Sequence, residues 1–379
     1  MCARVGCMPS KVLIAAANAF HSRNSFPAHG RLRVDVPAVM RHVRKLRDAF
    51  VRGNLTVTRG VKCIDGRAKL LGPQVVRVGR KELHAKRIIL ATGSRPVVPP
   101  GWNGVLTTDS LFELEDLPGK LAVVGLGAIG IELAQACARL GCDVTAFEST
   151  ARMGGLTDPK VVSVAVSLMR REMRVHLGRE VKLEKKFHLG GQKFDQVLVA
   201  MGRRPNVEGL GLEALGIDVG DVDPHTMRAG PFFIAGDLDP RAMVLHEAKD
   251  EGTIAGLNAT AARVRAYPRR TPLGICFSDP NIAFVGERLE TLHRPRITEA
   301  RFEHQSRAII AQSNHGIVRL YSKRRSGKLL GAELCAPAGE HLAHLLALAI
   351  SQSLTLAELS DMPWYHPTFE EGLMDALDV

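Results

Sequence analysis

The segment KLAVVGLGAIGIELAQACARLGCDVTAFES, residues 120–149, decides the fold. An apolar run, Leu121 to Val124, leads directly into Gly125-Leu126-Gly127-Ala128-Ile129-Gly130. Apolar residues at helical spacing follow, and a second apolar run ends at Glu148. A lone G-x-G-x-x-G is weak evidence, but strand, glycine turn, helix, second strand and terminal acid together make a dinucleotide-binding fingerprint. Glycines let a pyrophosphate approach the backbone, and the helix N-terminus that follows stabilises its charge. The cofactor-binding set read here is Gly125, Gly127, Gly130 and Glu148. Glu148 is placed to accept from ribose hydroxyls and to repel a 2′-phosphate, which favours NAD over NADP, although Arg152 stands nearby.

Outward from this unit the texture is that of an α/β chain. KRIILATGSRPVVPP, residues 86–100, is a buried-type strand entering a glycine turn, and Leu117-Pro118-Gly119 marks a boundary. FDQVLVAMGRRPN, residues 194–206, repeats the strand-then-glycine pattern. FFIAGD, residues 232–237, ends on Gly236-Asp237 with a helical pattern behind it. A carboxylate there is either a turn residue or a ligand to a sugar hydroxyl. From about Arg263 short β-rich segments alternate with helices, which predicts a separate α+β domain. Near the end, His366 and Glu371 stand together in WYHPTFEE. An acid beside a histidine is either satisfied structure or an oriented general base.

The N-terminal stretch MCARVGCMPSK, residues 1–11, carries Cys2 and Cys7. Apolar residues from Val12 to Phe20 recur at helical spacing and Pro9 suits a first turn, so Cys7 is expected at a helix N-terminus. Exposed N–H groups and Lys11 one turn on favour a thiolate there. Cys2 is expected to approach from a turn before the helix. Zinc would need a second ligand pair that His21 and Cys63 do not supply, so redox use is preferred and no metal is expected.

Composition bounds the rest. The chain has 379 residues, with 45% hydrophobic and 24% charged, so a folded multidomain protein is expected. A net charge of +12 is spread out and not gathered into a block, which argues against nucleic-acid binding. No apolar run reaches the roughly 18 residues of a membrane span. VLIAAANAF, residues 12–20, lacks a signal-peptide cleavage site. Seven cysteines without a regular framework point to a reducing cytoplasm.

CARVGCMPSK, ATGSRP, GLGAIG with Glu148, GRRPN, AGD, FSDPNIAFVG and WYHPTFEE occur in the order seen in class I pyridine nucleotide-disulfide oxidoreductases, and the chain most resembles bacterial dihydrolipoyl dehydrogenase. The resemblance implies two Rossmann-like nucleotide-binding domains and a C-terminal α+β dimerisation domain. An FAD-binding domain would span residues 1–110 and 225–262, an NAD-binding domain 111–224, and the dimerisation domain 263–379. It implies that Cys7 faces the flavin and Cys2 exchanges with substrate. Lys11, Ala68, Ala91, Thr92, Gly93, Asp237 and Leu245 would contact FAD, and Ala128, Ile129, Val181 and Gly202 would join the NAD set. It further implies that His366 from a partner subunit, oriented by Glu371, takes the proton of dihydrolipoamide. The protein would be a homodimer, in some relatives part of a 2-oxo acid dehydrogenase complex.

In the family a βαβ unit for the ADP half of FAD precedes the cysteines, whereas only Met1 precedes Cys2 here. The expectation is therefore an FAD-binding domain lacking its N-terminal unit, with weak FAD affinity. Mercuric or glutathione reductase-like activity, or a silent remnant that binds NAD and dimerises, are the alternatives. The absence of a terminal cysteine pair weighs against mercuric reductase and Glu148 against an NADPH-using enzyme.

Overall fold

A computed structural model describes residues 2–25 and 33–377. The chain divides into two compact units. One comprises Met1–Arg4, Asp48–Val97 and Gly202–Arg269, and the other Val5–Arg47, Val98–Met201 and Arg270–Val379.

In the second unit the fingerprint segment folds as its pattern requires. The strands Lys120–Val124, Asp143–Phe147, Arg174–His176 and Gln196–Val199 form an all-parallel sheet in which Lys120–Val124 lies between Gln196–Val199 and Asp143–Phe147. Leu121, Ala122, Val123, Val144 and Ala146 are buried on both faces, the pattern of a covered parallel sheet. The helix Ala128–Arg139 packs its Ile131, Leu133 and Ala134 into the same core as Leu13, Ile14 and Ala17 of the N-terminal helix Cys7–Ser25. That N-terminal helix begins at Cys7, and Pro9 lies in its first turn, where a missing N–H has no intrahelical partner to lose. Cys2 opens a short helical turn of its own, Cys2–Val5, before the helix that begins at Cys7, and Gly6 lies at the bend between the two.

The β-rich C-terminal texture forms a five-stranded antiparallel sheet in the order Leu273–Cys276, Asn281–Gly286, Leu329–Ala336, Ile317–Ser322, Arg296–Arg301. The helix Gly339–Ser351 covers it through Leu342, Ala343, Leu346 and Ala349, which share a core with Val285, Leu320 and Leu334.

In the first unit the strand Ile89–Leu90 runs parallel to Phe232–Ile234, which pairs antiparallel with Arg228–Ala229. Ser94–Pro96 pairs with Arg203–Pro205, and residues 68–84 form a three-stranded meander. Phe232, Phe233, Ile234 and Leu238 are buried against Ile254 and Ala255 of the helix Leu245–Thr260.

Candidate active site and nucleotide-binding turn

The glycine turn is built to admit a ligand. Gly125 adopts φ +96°, and a Cβ there would collide with the Ala200 carbonyl. A Cβ at Gly130 would meet the Gly125 carbonyl, so this glycine permits the close packing of helix on strand. Gly127 is different: its φ is −65° and a Cβ would enter open space with nothing within 4 Å. Gly127 also caps the helix Ala128–Arg139 without any side-chain hydrogen bond, leaving Ala128, Ile129 and Gly130 N–H groups at an uncapped positive helix end. Open space over Gly127 and uncapped amides fit a pyrophosphate.

Glu148 stands at the end of the neighbouring strand, half-buried. Its Oε2 accepts from Leu126 N at 2.9 Å, tying it to the glycine turn, and its Oε1 accepts from Thr150 N at 2.9 Å and Thr150 Oγ1 at 3.0 Å. Val181 packs against the cluster that contains Phe147, and His176 stacks on Phe147 with ring centroids 5.2 Å apart. Burial and the charges of Arg179, Arg170 and Arg174 hold the His176 pKa below its usual value. Arg152 is drawn into a two-pronged pair with Glu290, at 2.7 and 3.2 Å. Gly202 belongs to the other unit, where its φ is +94° and its carbonyl accepts from Val97 N at 3.0 Å.

In that other unit, Ala91, Thr92 and Gly93 follow the strand Ile89–Leu90, and Asp237 follows its parallel neighbour Phe232–Ile234. All four therefore lie at the carboxyl end of one parallel pair, the position where open α/β sheets bind ligands. Asp237 Oδ2 accepts from Ser94 Oγ at 2.9 Å, and Ser94 Oγ in turn accepts from Arg203 Nε at 2.8 Å. Gly236, at φ +70°, donates its N–H to the buried Glu251 Oε2 at 2.9 Å, which fixes the loop that presents Asp237. A half-buried carboxylate held in this way, beside backbone turns, fits a polyol such as a flavin ribityl chain. Leu245 is exposed at the start of the helix Leu245–Thr260, and Ala68 is exposed at the start of the meander.

Among the N-terminal residues, Cys2 is half-buried and Cys7 exposed, and Ser10 Oγ donates to the Cys7 carbonyl at 3.0 Å. Lys11 Nζ donates to Glu132 Oε2 at 2.7 Å and lies 4.6 Å from the centroid of the Phe277 ring. Glu132 is only 4% exposed, and its Oε1 also accepts from Phe277 N at 2.9 Å. Sequence reasoning did not find Glu132, yet an acid inside the apolar helical run IGIELAQA was the available signal.

His366 and Glu371 meet. His366 Nδ1 lies 3.0 Å from Glu371 Oε2, with the histidine side chain 70% exposed and the carboxylate 15%. Gln305, also missed, donates its amide to Glu371 Oε1 at 3.1 Å and to the Thr368 carbonyl at 2.6 Å, so it holds the acid from behind. No group of three or more histidine, cysteine or acidic side chains suited to a metal occurs among the described residues. Nor is any helix among them long and apolar enough to cross a membrane.

Comparison with known proteins matches residues 1–252 to the family described as "Pyridine nucleotide-disulphide oxidoreductase" and residues 273–377 to its dimerisation domain. The chain is 28% identical over 414 residues to a mercuric reductase of Acidithiobacillus ferrooxidans, covering 98% of this chain and 74% of that one. It is 26% identical over 416 residues to a mitochondrial dihydrolipoyl dehydrogenase of Pisum sativum, covering 99% and 83%. The solved structure of the HOCl-induced flavoprotein disulfide reductase RclA from Escherichia coli shares the fold, with a TM-score of 0.85 at 21% identity over 100% of this chain and 91% of that one. With its Rossmann-like parallel sheet and C-terminal dimerisation domain, the chain belongs to the flavin-dependent pyridine nucleotide-disulphide oxidoreductases.

Proposed function

We propose that this protein oxidises dihydrolipoamide to lipoamide with NAD as the final acceptor, through a redox disulfide of Cys2 and Cys7. The observation that carries this reading is the His366–Glu371 pair. With Nδ1 committed to the carboxylate, the Nδ1–H tautomer leaves Nε2 as the proton acceptor on an exposed ring. In a homodimer this base serves the cysteine pair of the partner subunit.

The substrate thiol gives its proton to His366, and the resulting thiolate attacks Cys2 in the Cys2–Cys7 disulfide, releasing the Cys7 thiolate. The second substrate thiol then displaces Cys2, so the substrate closes to its cyclic disulfide and the protein pair is left reduced. FAD, when bound, supplies the two-electron link from the protein dithiol to NAD. Asp237, Lys11, Ala68, Ala91, Thr92, Gly93 and Leu245 are proposed to hold it. NAD is proposed to lie on Gly125, Gly127, Ala128, Ile129, Gly130, Glu148, Val181 and Gly202. Preference for NAD over NADP is supported by Glu148 and by the engagement of Arg152 with Glu290, which draws the nearby cation away from a 2′-phosphate. A cytoplasmic homodimer, serving a 2-oxo acid dehydrogenase complex, is the proposed setting.

The test is NADH formation from dihydrolipoamide and NAD by the purified full chain supplied with FAD. Turnover that disappears in Cys2→Ser and Cys7→Ser supports the reading. Reduction of Hg(II) or glutathione disulfide by NADPH, without dihydrolipoamide turnover, replaces it with one of those activities. NAD binding without any turnover replaces it with a silent nucleotide binder.

A further inference from the structure

The helix that opens at the glycine turn closes, at its other end, on two cysteines. Gly141 N donates to the Ala138 carbonyl and Cys142 N to the Cys137 carbonyl, both at 3.0 Å, with Gly141 at φ +105°. This pair of bonds is a Schellman cap. Such a cap folds the residue after the glycine back onto the third-last helical residue, and an apolar side-chain contact usually fills that place. Here the two positions are Cys137 and Cys142, so the cap sets the two thiols side by side. Cys137 is fully buried, whereas Cys142 is 8% exposed at the edge of the core.

The two sulfurs are chemically unequal. The neighbouring Cys137 thiol pushes the Cys142 pKa below its ordinary value, against burial and the Asp116 carboxylate. The same contact, with full burial, pushes Cys137 up. Cys142, the more exposed of the two, is the sulfur a peroxide meets first, and Cys137 is the waiting thiol. A disulfide needs Cα atoms about 4.4–6.8 Å apart, and a cap that closes a six-residue hydrogen-bonded turn brings its ends to that kind of separation.

We propose that Cys137 and Cys142 form a second oxidisable dithiol, distinct from Cys2 and Cys7, which closes to a disulfide under a peroxide. The Cys142 thiolate attacks one peroxide oxygen, breaking the O–O bond; it becomes a sulfenic acid, and the departing hydroxide takes up a proton as water. Cys137 then displaces the sulfenic hydroxyl as a second water and the S–S bond forms. Two thiols are oxidised and one hydrogen peroxide is reduced to two waters. The bridge joins the end of the helix Ala128–Arg139 to the start of the strand Asp143–Phe147, locking the corner between the two elements that carry the glycine turn and Glu148.

Peptide mass spectrometry tests this on the full chain. After hydrogen peroxide, the remaining thiols are alkylated under denaturing conditions and the protein is cleaved at glutamates, which keeps residues 133–148 in one peptide. The expected peptide carries no alkyl group on either cysteine, is about 2 Da lighter than the unalkylated reduced form, and reverts on treatment with dithiothreitol. In Cys137→Ser, Cys142 is expected to be trapped by dimedone as sulfenic acid. Recovery of both cysteines alkylated after peroxide, or of Cys142 as sulfonic acid beside an alkylated Cys137, overturns the proposal.

Discussion

Lys11 and Glu132 form an ion pair of 2.7 Å between the N-terminal helix and the helix of the glycine turn, 121 positions apart in sequence. The carboxylate is buried and the ammonium only one-third exposed, so removing the lysine strands a charge in the core. Lys11→Ala is therefore expected to destabilise the protein by about 3 kcal/mol, somewhat offset by the Phe277 N–H that still serves the carboxylate. Glu132→Gln, which keeps the volume and the Phe277 contact, is expected to cost less. Urea unfolding of the two variants beside the parent chain checks the order.

Two glycines of one turn separate fold from ligand. Gly130→Ala is expected to disrupt the protein itself, because its Cβ meets the Gly125 carbonyl. Gly127→Ala finds open space in the protein, so its melting temperature should match the parent while its affinity for NAD(H) falls at least about tenfold, the equivalent of about 1.4 kcal/mol. Calorimetric titration beside thermal unfolding distinguishes the two outcomes.

The exposed imidazole at 366 is expected to matter only for the dithiol half-reaction. His366→Gln should lower dihydrolipoamide oxidation by about 10²–10⁴-fold while NAD(H) binding is unchanged. Gln305→Leu removes one hydrogen bond to Glu371 and leaves the base in place, so a loss of about tenfold is expected. Steady-state rates with NAD titrated in parallel check both.

Glu251 gives the first unit a pH dependence. Burial, then the neighbouring Asp239 charge, push its pKa up to about 7, against Arg269 and the Gly236 N–H, which stabilise the carboxylate. The folded value lies above an unfolded one of about 4.3, so the native state binds more protons between the two. Stability is thus greatest below that window and falls as pH rises through about 7, by on the order of 2 kcal/mol. Glu251→Gln is expected to flatten the decline. Urea midpoints from about pH 5 to about pH 8 measure it.

What could be read from the sequence is what local pattern encodes. Leu121–Val124 and Gly125–Gly130 announced a strand and a phosphate turn because the periodicity and the glycines are consecutive. His366 and Glu371, five positions apart, could be paired by eye. Glu132, Gln305 and Ser94 could not, since their partners lie 121, 66 and 143 positions away and only the folded chain brings them together. Cys2 was expected to approach from a turn before the helix because ideal helical residues at that spacing diverge. That turn is present as the short helical segment Cys2–Val5, which ends at Gly6 before the helix starts at Cys7.

The parallel pairing of Ile89–Leu90 with Phe232–Ile234 carries a cost during synthesis. Residues 98–201 emerge from the ribosome between the two partners, so the earlier strand waits unpaired until its mate has been made. A nascent chain stalled before residue 232 therefore presents an apolar strand edge to its surroundings, and chaperone capture is expected to peak over that interval of translation.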